Sequence, residues 1–308
     1  MRRLLSILLL SSLCFTACGK KEEATKEEAK KEDKAEKTEK QAEKKDDGLT
    51  IKVKAPAVGD KVEEKMKNDL SVSLEIDMGG KKTSEFTEVE STDKKIEALA
   101  VDGNAITKAK VTYAEHTKAN TEDGKEKKKP KSLLDGKTYV LELKDGKVIA
   151  TDEKGKKLPK PEEDAVLKKN HHFGKADPFL EGMPKKPIKV GDKVESLAKA
   201  LEEHFKAEDD GKDPFEVTDT TVKLESIEKD GSDQIGVFSV TLTLQSPKSS
   251  KDPVALKFVL KGNTKVRAKD GFTTAIDLKG PVTMDSTDPK LKITGKGKAH
   301  MEQTNTQS

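Results

Sequence analysis

Cysteine is nearly missing from this chain: there are 2 in 308 residues, Cys14 and Cys18. Both sit in the opening segment, so the rest of the chain forms no disulfide and must be held by packing. Tryptophan is absent, aromatic residues make up 4% and hydrophobic residues 32%, against 38% charged. That composition specifies a thin core. Charge of one sign is also lacking, since 60 basic and 57 acidic side chains leave only +3. A balanced surface gives no electrostatic case for nucleic acid, which needs clustered basic excess. The run Leu4 to Leu13 is the longest apolar stretch, and no stretch is long enough for a stable bilayer span.

The opening segment has the layout of an export signal. Arg2-Arg3 supply a positive start, Leu4 to Leu13 an apolar stretch too short for a stable span, and Thr16-Ala17 small residues at the cut. The sequence Phe15-Thr16-Ala17-Cys18 resembles the bacterial lipobox, in which signal peptidase II cleaves and the new N-terminal cysteine carries lipid, palmitate included. Phe15 stands where leucine is commonest, which keeps the apolar character. Cys14 is the rival site, but Leu13 before it is a poor small residue. The other option is an ordinary secretory cut near Ala17 that leaves Cys18 a free thiol. With Arg2 and Arg3 removed, 58 basic face 57 acidic groups, or +1. Gly19 is not the aspartate that commonly retains such proteins in the inner membrane, so the resemblance favours the outer membrane, with the body in the periplasm or at the cell surface.

Residues 20–47 hold 10 Lys and 11 Asp or Glu, with Ala24, Ala29, Ala35 and Ala42 as the apolar members. Such a segment cannot bury a core and reads as a disordered tether. Pairs such as Glu22-Lys26 and Glu36-Lys40 support transient helix. As coil it would average roughly 30 Å end to end, as helix about 42 Å. The domain plan is therefore a signal peptide at 1–17, a lipidated linker at 18–48, an N-terminal β-rich half at 49–187 with a helix near 161–173, a C-terminal half at 188–303 and a tail at 304–308.

An internal echo links the halves. Val58-Gly59-Asp60-Lys61-Val62-Glu63 recurs as Val190-Gly191-Asp192-Lys193-Val194-Glu195, which suggests a shared turn or a duplication. After the first copy, Val62, Met66, Leu70, Val72, Leu74, Ile76 and Met78 alternate as in a strand. Gly79-Gly80, Asp102-Gly103 and Asp145-Gly146 then mark hairpin turns between runs that include Phe86, Val89, Ile96 and Leu99. Residues 117–131 read as a lysine-rich loop. Pro161, the acids after it and Lys168-Lys169 fit a helix oriented by its dipole, with His171 and His172 in its last turn.

After the second copy, Val194, Leu197, Ala198, Leu201 and Phe205 have helical spacing, which predicts a helix over 193–207. Five strands follow, at about 215–228, 235–245, 254–266, 272–284 and 290–302. Alternation puts Val254, Leu256, Phe258 and Leu260 on one face, and Phe272, Thr274, Ile276 and Leu278 likewise. The fold class is thus α+β and β-rich, with curved antiparallel sheets built from hairpins and two covering helices.

At the level of architecture this plan is similar to the half-barrels of periplasmic lipoprotein-carrier and mycobacterial lipid-binding lipoproteins. The likeness implies a concave apolar face for an acyl chain, lined by Leu256, Phe258, Phe272 and Ile276; the competing role for these side chains is core. The chain also resembles uncharacterised lysine-rich envelope lipoproteins.

Chemistry-bearing motifs are few. His116, His204 and His300 stand alone, and His171-His172 would point about 100° apart on a helix, a poor geometry for one metal. The carboxylate pairs Glu162-Glu163, Glu202-Glu203 and Asp209-Asp210 suit solvated faces in so charged a chain, and no serine-hydrolase elbow, phosphate loop or dinucleotide fingerprint occurs. The expectation is a non-enzymatic binding or interaction module without cofactor or metal, anchored to the membrane through Cys18, with an envelope protein, lipid or cell-wall partner and no nucleic acid. A lipid or acyl-chain carrier is the alternative, and an enzyme with dispersed catalytic residues a weaker one.

Overall fold

Alternating apolar residues and tight turns dictate a sheet, and a computed structural model describes residues 48–77, 80–126, 132–206, 215–246, 254–286 and 292–308. The predicted signal peptide, Cys18 and nearly all of the linker lie outside the described residues, as do Met78 and Gly79. The strands are β1 (Lys61–Asp77), β2 (Lys81–Asp102), β3 (Ala105–Glu122), β4 (Lys125–Glu126), β5 (Thr138–Lys144), β6 (Lys147–Asp152), β7 (Glu216–Asp230), β8 (Asp233–Gln245), β9 (Val254–Arg267), β10 (Thr273–Ser286) and β11 (Lys292–Gln307). The helices are α1 (Lys160–Lys169), α2 (Pro178–Gly182) and α3 (Glu195–Lys206). All pairing is antiparallel in one sheet of order β6-β5-β3-β2-β1-β11-β10-β9-β8-β7, with β4 beside β3.

The α+β, β-rich class with a curved antiparallel sheet is what the chain adopts. Three details differ from the sequence plan. The halves 49–187 and 188–303 share one sheet through the β1–β11 ladder, and Leu49 and Ile51 of the first half are buried in the apolar cluster of the second. Residues 304–307, expected as tail, continue β11, where Gln307 pairs with Val62. The expected loop at 117–131 is strand through Glu122; a turn with Asp123 at φ 52° and Gly124 at φ 73° follows, then β4. Residues 127–131 lie outside the described set.

One sheet face is solvated and the other is buried. On β1 the even positions Val62, Met66, Leu70 and Val72 are buried and the odd ones are largely exposed. Two apolar clusters occupy the buried side. The larger one joins Leu70, Val72 and Met301 to β7–β10 and to Val194, Leu197 and Leu201, whose helical spacing puts one stripe of α3 on the sheet. The smaller joins Ile96, Val111, Tyr113, Tyr139 and Leu141 to Val166 of α1.

Two glycines mark a close backbone approach between β9 and β10. A Cβ on Gly262 would lie 1.8 Å from Asp277 O, and one on Gly280 would lie 1.8 Å from Val259 O, so neighbouring backbone occupies the side-chain space. The β9–β10 pairing omits Gly280 and Pro281 but resumes at Val282↔Phe258 in the same register. Proline has no N–H to give the ladder, and glycine permits the close approach. Gly280-Pro281 thus interrupts the ladder to β9, while pairing with β11 runs through both residues unbroken.

The echoed hexapeptide is a shared turn. Gly59 (φ 92°) and Gly191 (φ 98°) each take the left-handed position of a four-residue turn. Asp60 N–H donates to Ala57 O at 3.1 Å and Asp192 N–H to Lys189 O at 3.0 Å. The aspartate Oδ2 atoms accept from Ala57 N–H at 2.7 Å and Lys189 N–H at 2.9 Å. Each turn then docks on a strand through its glycine N–H, donated to Ala98 O in one case and to Leu224 O in the other, both at 2.8 Å. Beyond the turns the copies diverge into β1 and α3.

Candidate functional site

Between the two apolar clusters, the buried face of the sheet turns polar. Glu64 and Asn68 occupy even positions of β1, in line with Met66 and Leu70, and both are completely buried. Opposite them, β2 buries Glu88, Glu90, Thr92 and Lys94, leaving Val89 only half-buried on the other face. Register fixes the rows: Lys94 opposes Glu64, Thr92 opposes Met66, Glu90 opposes Asn68 and Glu88 opposes Leu70. The rows extend to His116, Lys118 and Asn120 on β3 and to Met301, Gln303 and Asn305 on β11. The β2–β3 register slips between Asp93 and Lys94. Such irregularities re-aim side chains beside sites.

Three buried carboxylates meet three ammonium groups. Lys94 Nζ lies 2.8 Å from Glu64 Oε1, Lys169 Nζ lies 2.5 Å from Glu90 Oε1, and Lys118 pairs with Glu88. Lys118 is 27% exposed, whereas Glu88 and Glu64 are at 1%, so the stripe reaches solvent at its β3 end. Burying ion pairs costs desolvation that their attraction barely recovers, so they are weak stabilisers. Burial pushes the Glu90 carboxyl up, but the His116 hydrogen bond and the Lys169 charge outweigh it and hold it at about 2. Burial drives the Lys169 ammonium below its usual range, opposed by Glu90.

The end of α1 is fastened to this stripe. Asn170 Nδ2 donates to Val166 O and to Tyr113 Oη, each at 2.8 Å, which ties the helix terminus to β3. Burial raises the Tyr113 phenol far above its ordinary value. His116, which stands alone in the sequence, is bonded on both sides: Nε2 is 2.9 Å from Glu90 Oε1, and Nδ1 meets Ser132 Oγ. The Ser-His-Glu order resembles a nucleophile relay, yet Ser132 Oγ also accepts the Leu134 N–H at 3.2 Å and Glu90 is shared with Lys169. These bonds hold the turn at 132–136 and the α1 terminus on β2 and β3.

Gln303 Nε2 donates to Asn305 Oδ1 at 3.2 Å, and Asn305 Nδ2 to Thr273 O at 2.9 Å. Within this stripe, five buried acceptor atoms outside the ion-pair contacts have no protein hydrogen-bond donor, namely Glu64 Oε2, Glu88 Oε2, Thr92 Oγ1, Asn120 Oδ1 and Gln303 Oε1, and Thr220 Oγ1 and Thr273 Oγ1 share that condition elsewhere on the sheet. The collection of those five on four adjacent strands distinguishes this region from ordinary core.

The residues predicted for an apolar ligand face separate. Leu256, Phe258 and Ile276 are buried in the larger cluster with Leu197 and Leu201 of α3. Phe272 is also buried but precedes β10 and is not part of that cluster. Its ring lies 4.9 Å from the Arg267 guanidinium, which also holds Asp270. His171 and His172 follow the end of α1 instead of lying in its last turn, with ring centroids 3.9 Å apart. Among the described residues, no three His, Cys, Asp or Glu side chains converge to hold a metal ion. His300 bonds Asp277 at 2.9 Å.

The polar stripe has a sequence signal that alternation alone passes over: Glu64 and Asn68 interrupt an otherwise apolar even-numbered series. Nothing in β2 alone reveals its inversion, since Val89 and Leu99 suggest the opposite inward face. Neither a protein-family model nor a curated protein matches the chain. Among solved structures it is similar to one described as "Lipid-protein interactions in lipovitellin", at 8% identity and a TM-score of 0.35, over 80% of this chain and 25% of that one. The chain spans a quarter of that protein's length, and so shallow a likeness carries no argument about ligand.

Proposed function

We propose that this chain is a membrane-tethered envelope lipoprotein whose body is a non-enzymatic binding module. The lipobox-like sequence ending at Cys18 supports the anchor, and the linker at 18–48 supports a spacer. The observation that carries the binding role is the stripe of Glu64, Glu88, Thr92, Asn120 and Gln303, buried yet left with unmatched acceptors. A fold that spends its hydrophobic face on unmatched polar groups sacrifices stability, a pattern expected where recognition depends on them. An acyl-chain carrier would need Leu256, Phe258 and Ile276 free to line a cavity, and their packing with α3 weighs against that alternative.

Anchoring is tested by labelling cells with an alkyne fatty acid and fractionating membranes. The native chain should carry label and sediment with membranes, while Cys18→Ser should lose both. A Cys18→Ser chain that stays labelled overturns the anchor. Native mass spectrometry of the Cys18→Ser protein checks the alternative, because a stoichiometric acyl lipid would favour the carrier.

A further inference from the structure

The end of the sheet where the linker joins the body carries an excess of one charge. Leu49 pairs with Ile188 through two backbone hydrogen bonds, Leu49 N–H to Ile188 O at 2.7 Å and Ile188 N–H to Leu49 O at 2.8 Å. Further on, Lys52 N–H donates to Ala268 O at 2.7 Å, Lys54 N–H to Asp270 O at 3.1 Å, and Ala268 N–H to Gln234 O at 2.8 Å. These bonds gather four stretches, 48–58, 183–190, 229–234 and 267–272. Together they hold eight basic and three acidic side chains, although the whole chain is nearly balanced. Two of those acids are already matched inside the group, Asp233 by Lys269 at 2.5 Å and Asp270 by Arg267 at 2.6 Å. Including the flanking Glu181, Asp192 and Lys193 still leaves nine basic against five acidic. Lys52, Lys54, Lys185 and Lys186 are exposed and have no ion-pair partner among the described residues. Apolar side chains are exposed at the same place: Val53, between Lys52 and Lys54, at 41%, and Val190, after Lys189, at 57%.

We propose that this end of the body docks on a bilayer of anionic phospholipid, with Lys52, Lys54, Lys185, Lys186 and Lys189 on the phosphates and Val53 and Val190 among the headgroups. Lysines beside exposed valines match the boundary of such a bilayer, where charge attraction and shallow apolar insertion add together. A soluble polyanion would engage the lysines alone. The linker, with 10 Lys and 11 acidic residues over 20–47, has no net positive charge for the task. The inference rests on the proposed anchor for bringing the body to the membrane, whereas docking itself needs no lipid on Cys18. Because the linker enters beside this surface, an anchored chain keeps it within reach of the bilayer, and a weak contact is then effective.

The test mixes the chain from Gly19 onward, which keeps every described residue and drops the apolar leader, with phosphatidylcholine vesicles that contain or lack phosphatidylglycerol. Sedimentation should show binding about tenfold or more tighter to phosphatidylglycerol vesicles than to neutral ones, weakening as salt is raised. Lys185→Gln, Lys186→Gln and Lys189→Gln together should weaken that binding about tenfold or more. The melting temperature should not move, since exposed side chains carry little stability. The same change at Lys154, Lys156 and Lys157, exposed beyond β6, removes equal charge and should alter binding by less than about threefold. Val53→Ser with Val190→Ser should weaken it by about threefold or more. Binding no tighter to phosphatidylglycerol vesicles than to neutral ones, or weakened equally by the two lysine triples, overturns the proposal. Vesicle binding unmoved by the valine changes does so too. Polyphosphate that strips the chain from vesicles at equal phosphate concentration also overturns it and assigns the surface to a soluble polyanion. Fatty-acid labelling tests the anchor separately: a native chain that takes no label while the chain from Gly19 binds these vesicles loses the anchor and keeps the surface.

Discussion

Lys94 Nζ and Glu64 Oε1 meet at 2.8 Å with both side chains almost wholly shielded from solvent, at 3% and 1% exposure. The pair sits at a cross-strand position of β1 and β2, where the register makes the two side chains immediate neighbours. Removing one partner leaves a buried charge alone. Lys94→Met should therefore cost about 3 to 5 kcal/mol in urea unfolding, and adding Glu64→Met should recover most of that loss. A double variant no more stable than Lys94→Met would sink this account of the pair.

Acid should unlock the α1 terminus through Glu90. Its carboxyl is held at about 2 against a model value of 4.5, so its contribution is fully present above about pH 4.5 and is lost as the pH falls toward 2. A shift of that size corresponds to about 3 kcal/mol. The unfolding free energies of the native chain and Glu90→Gln should converge over this window. A difference that stays constant from pH 5 to 2 contradicts the assignment.

The close approach at Gly280 should resist any side chain. Gly280→Ala places a methyl group 1.8 Å from Val259 O, and the required backbone shift should cost more than about 4 kcal/mol or prevent folding. Gly80 offers a control, because a Cβ there meets nothing within 4 Å. Gly80→Ala should change stability by less than about 0.5 kcal/mol. Comparable melting temperatures for the two variants would argue against that close approach.

The two echoed turns should respond alike. Gly59→Ala and Gly191→Ala each force a left-handed residue to carry a Cβ in otherwise open space. Each should cost about 1 kcal/mol or somewhat more, with no steric difference to separate them. Thermal melts that differ between the two by several kcal/mol would show that the hexapeptides do unequal structural jobs.

Strand positions were legible because Leu256, Phe258 and Leu260, or Leu70, Val72 and Leu74, alternate without interruption. The α3 stripe was equally plain in Val194, Leu197 and Leu201. Sequence alternation failed where the ladder slips. The slip at Asp93/Lys94 accompanies a strand whose buried side is charged. The polar stripe depends on partners distant in sequence, with Lys169 of α1 meeting Glu90 of β2 and Gln303 of β11 facing Met66 of β1. Local periodicity cannot pair such residues. His116 was invisible for the same reason, since Glu90 and Ser132 approach it from separate segments.

The β1–β11 ladder has a consequence for how the protein is made. Val62 waits for Gln307, about 245 positions later, before its strand is enclosed on that side. Until then β1 presents a long open edge, the kind of surface that recruits stray strands. Folding of so nonlocal a topology is intrinsically slow, so the sheet closes only once β11 has been made. Truncation within β11 should therefore injure the centre of the sheet, and chains stalled before that point should be the ones prone to aggregate.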